Sequence, residues 1–266
     1  MEFLASDILE ADPSVCVGCG RCASVCIRNA IEIRGKKAVY TGDRCFACFH
    51  CFAVCPKGAI SVKGSDYVPK PVAKTPVLDC GQFMGFLEQR RSIRWFDRNL
   101  TREELEPALA AGALSPTAMN YEDVEFAVVD DRLDDFMQMV YEILKPIRGE
   151  LPRIEEFCRW MEGDRPDPKR HPFLWEGRQL ILTFAKVDAN AFIAMARAEL
   201  ALYAEGLGGF YSLFMNMAAE RDPERFAGFF PAVPRDKKLK CVFVCGHPRI
   251  RFARTVPPRN ISVHWS

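Results

Sequence analysis

The chain contains Cys16-Val-Gly-Cys-Gly-Arg-Cys-Ala-Ser-Val-Cys26 and then, displaced by 29 residues, Cys45-Phe-Ala-Cys-Phe-His-Cys-Phe-Ala-Val-Cys55. Both runs read C-x2-C-x2-C-x3-C. The flanks repeat as well, since Cys26-Ile-Arg-Asn-Ala-Ile echoes Cys55-Pro-Lys-Gly-Ala-Ile, so one small unit has been duplicated. Three thiolates at two-residue intervals on a looping backbone can hold three corners of an iron–sulfur cubane, and the fourth cysteine of such a run ligates the other cluster. The spacing therefore assigns Cys16, Cys19, Cys22 and Cys55 to one [4Fe–4S] cluster, and Cys45, Cys48, Cys51 and Cys26 to a second. Crossed ligation ties the halves together, and a region too small for much of a core is held by its metal. Zinc is the competing reading, but tetrahedral sites built from separated pairs do not need a duplicated x2-x2-x3 pattern. Residues 31–33 and 59–62 read as short strands after each run.

Composition sets the frame around this block. Of the 266 residues, 49% are hydrophobic and 27% charged, which suits a globular chain and not a disordered one. A formal charge of +1 gives no bulk electrostatic case for a nucleic-acid partner. The N-terminal residues show neither a basic start nor an apolar run, and the alanine-rich stretch 189–219 is interrupted by Arg197, Glu199 and Glu205. A cytoplasmic location with no membrane span is the expectation, and it favours metal ligands over disulfides for the twelve cysteines. The remaining four, Cys80, Cys158, Cys241 and Cys245, read as buried free thiols.

Residues 65–79 carry three prolines and no steady periodicity, so they read as an extended linker between residues 1–64 and a second domain, 80–266. In that domain the patterns predict helices over 81–91, from a Thr101/Glu104 capping box onward, and over 133–144, 189–204, 211–219 and 222–229. Strands are predicted over 125–129, 180–184 and 239–245. Residues 150–175, rich in Pro, Arg and aromatics, read as an excursion over the core that can serve as a lid. No P-loop, nucleophile elbow or strand-borne Gly-x-Gly-x-x-Gly is present.

A cluster handles one electron and an organic substrate usually takes two, so a flavin is the expected junction. Arg90, Arg91 and Arg94 gather around Ser92 at a helix end, where guanidinium groups and a hydroxyl can clamp a phosphate. The same group also reads as a solvated basic helix end.

The cysteine block resembles the bacterial-type two-cluster ferredoxin domain, with Ile27 where a proline is usual. The second domain resembles the nitroreductase superfamily, whose members bind FMN. Arg90-Arg-Ser-Ile-Arg-Trp-Phe, Leu114-Ser-Pro-Thr-Ala-Met-Asn and Glu205-Gly-Leu-Gly-Gly-Phe carry that resemblance, with Gly246-His-Pro-Arg behind them, over roughly Asp79 to Arg259. It implies that Arg90, Ser92 and Arg94, supported by Arg91, grip the FMN phosphate and ribityl chain. Asn120 would lie near the ring's polar edge, and Ser115, Pro116 and Thr117 would shape that wall. Gly206, Leu207, Gly208 and Gly209 would pass close to the ring, and Arg249 or Arg251 would complete the phosphate site. Glu122 stands where the family often has an amide, which changes the charge beside the flavin. The implied fold is α+β: a ferredoxin-like two-cluster domain, then a nitroreductase-like sandwich on a central mixed or antiparallel sheet, paired as a homodimer. The implied activity is an FMN-dependent oxidoreductase drawing on ferredoxin or NAD(P)H and reducing a small organic acceptor. An electron-transfer subunit of a larger complex is the alternative.

Overall fold

A computed structural model of the chain describes residues 3–41, 44–73, 77–257 and 261–266. Lys74 to Pro76 of the expected linker, and Arg259 at the end of the second resemblance, lie outside the described residues. The chain divides into two compact units: Met1–Val77 with Ala118–Tyr121, and Leu78–Thr117 with Glu122–Ser266.

In the first unit the duplicated sequence folds as duplicated turns. Left-handed backbone occurs at Gly18 (φ +67°) and Gly20 (φ +80°), and again 29 residues on at Ala47 (φ +52°) and Phe49 (φ +57°). Asn29 and Gly58, another pair 29 apart, share the same conformation. At Gly18 only glycine fits, because a Cβ would stand 2.2 Å from the Lys36 carbonyl oxygen. Ala47 and Phe49 hold the geometry without glycine, at a cost of about 1–2 kcal/mol each. The same strained geometry thus recurs in both cysteine loops.

Around these turns run β1 (Phe3–Leu4), α1 (Ala5–Ile8), β2 (Leu9–Ala11), α2 (Arg21–Ser24), β3 (Ile31–Arg34), β4 (Lys37–Tyr40), β5 (Arg44–Cys45), α3 (His50–Val54) and β6 (Ile60–Val62). β2 and β6 pair antiparallel, as do β1 and β5. β3 and β4 form a hairpin across Gly35 and Lys36, both at positive φ, as a type I′ turn requires. The apolar core is small: Leu9, Cys22, Ile31 and Ile60 are its buried members.

The second unit is built on a four-stranded antiparallel sheet of order β7-β8-β10-β9, comprising Glu125–Val129, Gln179–Ala185, Lys238–Gly246 and Gly208–Tyr211. Every residue of β8 is buried, so both its faces are covered. Leu180, Leu182 and Phe184 face one cluster of apolar side chains, while Ile181 faces another, the alternation a strand imposes. Helices α5 (Arg102–Ala113) and α8 (Asp188–Ala204) supply Leu105, Ala108, Met195 and Leu202 to one face. Helices α6 (Leu133–Leu144), α7 (Pro152–Met161), α9 (Phe214–Arg221) and α10 (Pro223–Phe229) cover the other, and α4 (Cys80–Gln89) leads into the unit. The Thr101 cap is present as a full capping box with Glu104, and Asp79 with Gln82 forms a second at α4.

Three expectations need correction. Tyr211 ends a strand rather than opening a helix: β9 pairs with β10 from Gly208 to Tyr211, and α9 begins only at Phe214. Four residues, two of them glycine, are too few for periodicity to show. Cys80 is exposed at the first position of α4, although Cys158, Cys241 and Cys245 are buried. Burial pushes the Cys241 thiol up to about 12. The 150–175 excursion is core rather than lid, since Ile154, Phe157, Cys158, Phe173 and Leu174 are all buried. His171 is half-buried against the rings of Phe157 and Trp160, and its Nδ1 accepts from the Phe173 and Leu174 amides at 3.1 Å each. Burial pushes its pKa down to about 3, so it is a neutral packing element.

Asp123, just before β7, ties that strand to the start of α8. Its Oδ1 accepts from Asn190 Nδ2 at 2.6 Å, and its Oδ2 from the Lys186 and Val187 amides at 2.8 and 3.1 Å. Burial alone would raise this carboxyl, but the three donors outweigh it and hold the pKa below the ordinary value. A depressed carboxyl stabilises the fold above its unfolded pKa, and that contribution is lost as pH falls through the folded one. Asp123→Ala is expected to cost about 2–4 kcal/mol, because it orphans buried donors. Chemical denaturation at pH 7 checks this. The difference from the parent should shrink once pH falls below about 4.

Candidate redox centres and flavin cleft

Two cavities in the first unit are each lined by four cysteines. One holds Cys16, Cys19, Cys22 and Cys55, with Val17, Arg21, Ala38, Pro56 and Lys57 around it. The other holds Cys26, Cys45, Cys48 and Cys51, among Leu9, Ile27, Phe46, Phe49 and His50. Each cavity thus takes three cysteines from one run and the last from the other, the crossed pattern read from the spacing. Ile27, in the proline's position, is exposed and lines the second cavity without donating a ligand.

The surroundings fit a sulfur-rich anion. Backbone amides point at thiols in matching places: Ala30 to Cys26 and Ala59 to Cys55, both at 3.3 Å. Ala47 donates to Cys45 at 3.3 Å and Ala38 to Cys16 at 3.4 Å. The Ala38 amide leads in holding the Cys16 thiol below its ordinary pKa, while burial pushes Cys51 up to about 11. The Tyr40 hydroxyl is buried with no protein partner. Thiols of both runs, Cys51, Cys22 and Cys45, act on it electrostatically, and burial first among the causes raises its pKa. A phenol left unpaired there is a donor suited to a cluster sulfur. Among the described residues, no three His, Cys, Asp or Glu side chains converge as a single metal ion requires. The thiols stand around the cavity walls instead, as one ligand per corner of a cubane demands.

In the second unit the segment after α4 is extended and laid against two other motifs. The Ile93 amide donates to Gly209 O, Asp97 N to His247 O and Arg249 N to Trp95 O, at 2.9, 2.9 and 3.0 Å. Extended backbone sends alternate side chains to opposite sides. Arg91 and Ile93 line a cleft with Gln89, Gly206, Leu207 and Arg251, whereas Arg90, Ser92 and Arg94 do not. Arg90 pairs with Glu199 at 3.2 Å. The Arg94 guanidinium lies 5.1 Å from the Phe210 ring centre and 5.4 Å from that of Trp175. Arg91 donates to its neighbour's carbonyl, leaving a buried Nε without a partner. Arg251 approaches Gly206, whose φ is +73°. Arg249 is bound to Glu176 and lines a different groove with Phe96 and Trp175.

Matches to known families agree with this architecture. A nitroreductase-family model matches residues 87–247, more than half of the chain. The chain belongs to the nitroreductase family. A 4Fe-4S dicluster domain model matches residues 15–59, so this nitroreductase-family oxidoreductase carries an added segment for two clusters. No curated protein matches the chain. Solved structures similar to the nitroreductase part include a nitroreductase with bound FMN from Bacteroides fragilis. It is 18% identical with TM-score 0.54, covering 68% of this chain and 98% of that one. Another, from Desulfitobacterium hafniense and also with bound FMN, is 19% identical with TM-score 0.52, covering 68% and 97%. A BluB-like flavoprotein from Clostridium difficile is 14% identical with TM-score 0.52, covering 68% and 94%. These likenesses concern the fold.

The other residues that the nitroreductase resemblance singled out lie elsewhere. Ser115 Oγ is buried with no partner, and Thr117 Oγ1 accepts from the Glu122 amide at 3.0 Å; Pro116 sits between them in sequence. Met119, Asn120 and Glu122 all have positive φ, a concentration of backbone strain. Asn120, grouped with the first unit, donates to Ala47 O at 3.2 Å. Gly208 and Gly209 have packing reasons to be glycine: a Cβ would stand 2.9 Å from Ile93 or 1.9 Å from Val244 O. Sequence reading missed Tyr40, Asp123 and Glu199, none of which belongs to a spaced motif.

Proposed function

We propose that this protein moves electrons one at a time through its two clusters to FMN, which then reduces a small organic acceptor such as a nitroaromatic, quinone, free flavin or activated alkene. One observation carries the reading: two crossed four-cysteine cavities occur in the same chain as a nitroreductase-family domain. FMN supplies the exchange between single electrons and pairs that neither cluster can make. A reduced ferredoxin or another low-potential carrier is the donor in this reading. NAD(P)H as donor, with the clusters as outlet, is the reverse arrangement.

The protein's own residues contribute binding and electrostatics. The Arg91 and Arg251 guanidiniums, across the positive-φ turn at Gly206, provide charge and hydrogen bonds for the FMN phosphate. The orphaned Arg91 Nε is a donor for it. Arg90, Ser92 and Arg94, on the other side of the same extended segment, are the competing grip implied by resemblance. In the second cavity apolar walls restrict water, and in both cavities amide N–H groups stabilise thiolate charge. A homodimer that completes the flavin site is part of this reading. Among the described residues no helix is long and apolar enough to cross a membrane.

Arg91→Ala with Arg251→Ala is expected to weaken FMN retention at least about ten-fold, as loss of charge-assisted phosphate bonds predicts. Equilibrium dialysis of the apo-flavin protein, with iron content unchanged, checks it. Loss of FMN only in Arg90→Ala with Arg94→Ala would place the phosphate on the opposite face. Retention in both pairs would reject the segment as the phosphate site.

A further inference from the structure

We propose that the rim of the Cys16/Cys19/Cys22/Cys55 cavity is the docking face for a small acidic one-electron carrier protein. The inference rests on the reading that the clusters carry electrons, and it names which cluster meets the partner and what chemistry that partner presents.

Three observations converge on this rim. Cys19 is the only exposed residue among the eight cluster cysteines, so this cluster has the accessible edge. Beside it Val15 and Val17 are exposed, at 39% and 57%, and Pro56 lies at the cavity mouth. That is the apolar centre an interface uses to exclude water. Around them stand Arg21 and Lys57 on the cavity lining, and Lys36, whose carbonyl abuts Gly18. Lys37 completes the group, its Nζ donating to Cys16 O at 2.7 Å. Of the nearby acids, Glu32 is paired with Arg34, while Asp12, held ionised by Ser14, offsets Lys37, which leaves Arg21, Lys36 and Lys57 in excess.

Compensation of the cluster's own charge does not account for this ring. Two [4Fe–4S] clusters with four thiolates each carry the same charge, so compensation alone predicts similar rims. The second cavity is lined by one cation, Arg28, whose guanidinium lies 4.9 Å from the Phe46 ring centre, and otherwise by Leu9, Ile27, Phe46, Phe49 and His50 beside its cysteines. With two lining cations against one, and Lys36 beside the first rim as Arg44 is beside the second, the larger positive excess lies at the first edge and serves something that meets that edge. Electron-transfer encounters are small and transient, and opposite charge speeds them by steering.

The test uses the loaded protein and two reductants, an acidic [2Fe–2S] ferredoxin in reduced form and reduced methyl viologen, a small cation. Cluster bleaching is followed anaerobically by stopped flow. The ferredoxin rate should fall steeply with added salt, and the viologen rate should not. In Lys36→Glu with Lys57→Glu, the ratio of ferredoxin rate to viologen rate should fall at least about ten-fold at low salt. Arg28→Glu, at the second rim, should leave that ratio within about two-fold. An unchanged ratio in the Lys36/Lys57 variant, or an equal fall in Arg28→Glu, overturns the docking face. Clusters that viologen cannot reduce, or that reduce without any flavin reduction, would instead reject the underlying electron-transfer reading. Normalising to viologen separates docking from any loss of cluster.

Discussion

Cys26→Ser, at the end of the first run, will cost the protein the cluster of the second run. Iron should fall from about eight to about four per chain, since each cubane holds four. Double substitutions make the crossed assignment decisive. Cys26→Ser combined with Cys45→Ser should lose no more iron than either alone, because both remove corners of one cluster. Cys26→Ser combined with Cys16→Ser should leave almost none. Ligation within each run predicts the reverse: Cys26 with Cys16 would leave about four, and Cys26 with Cys45 almost none. The structure supports the crossed result because Cys26 lines the cavity of Cys45, Cys48 and Cys51, while Cys55 lines the other. The metal also substitutes for a core whose buried apolar members are few. Loss of one cluster should therefore make residues 1–64 much more sensitive to limited proteolysis.

The second large effect is expected at Gly209. A Cβ there would meet the Val244 carbonyl oxygen at 1.9 Å and the Phe243 ring at 2.5 and 2.8 Å. Val244 belongs to β10, at the centre of the sheet, so the backbone has little freedom to yield. Gly209→Ala should destabilise the second unit by at least about 4 kcal/mol, the range reserved for severe packing faults. Gly228→Ala is the control: a Cβ there meets nothing within 4 Å, and the residue lies in α10. It should be neutral or stabilising by up to about 1 kcal/mol. Thermal unfolding followed by near-UV circular dichroism distinguishes the two. A Gly209→Ala protein with unchanged melting but lost FMN would mean that the glycine serves the flavin rather than the sheet.

The cluster region was legible because its chemistry is written in local spacing. Eight thiols at fixed intervals mark candidate ligands without any knowledge of tertiary contacts, and the two cavities are lined by the same four-and-four grouping. Long periodic elements were legible for a similar reason: 133–144 and 125–129 have the predicted bounds. What escaped depends on contacts distant in sequence. β9 is a strand because β10 pairs with it, and its own four residues carry no pattern. Asp123 carries no sign of its role in the local sequence, yet its carboxylate serves Asn190 and the start of α8. The side-by-side arginines were legible as a cluster, but not their division. Only the extended backbone after α4 shows Arg91 turning toward Gly206 and Arg251, with Arg90 turned to Glu199.

Single-turnover transfer tests the central claim most directly. The loaded protein is reduced anaerobically with about one electron equivalent per cluster, and the flavin band is followed without further donor. The account predicts cluster reoxidation and flavin reduction with one shared rate constant, and loss of that phase in Cys16→Ser with Cys45→Ser. Flavin that stays oxidised beside reduced clusters for longer than a catalytic turnover would contradict it.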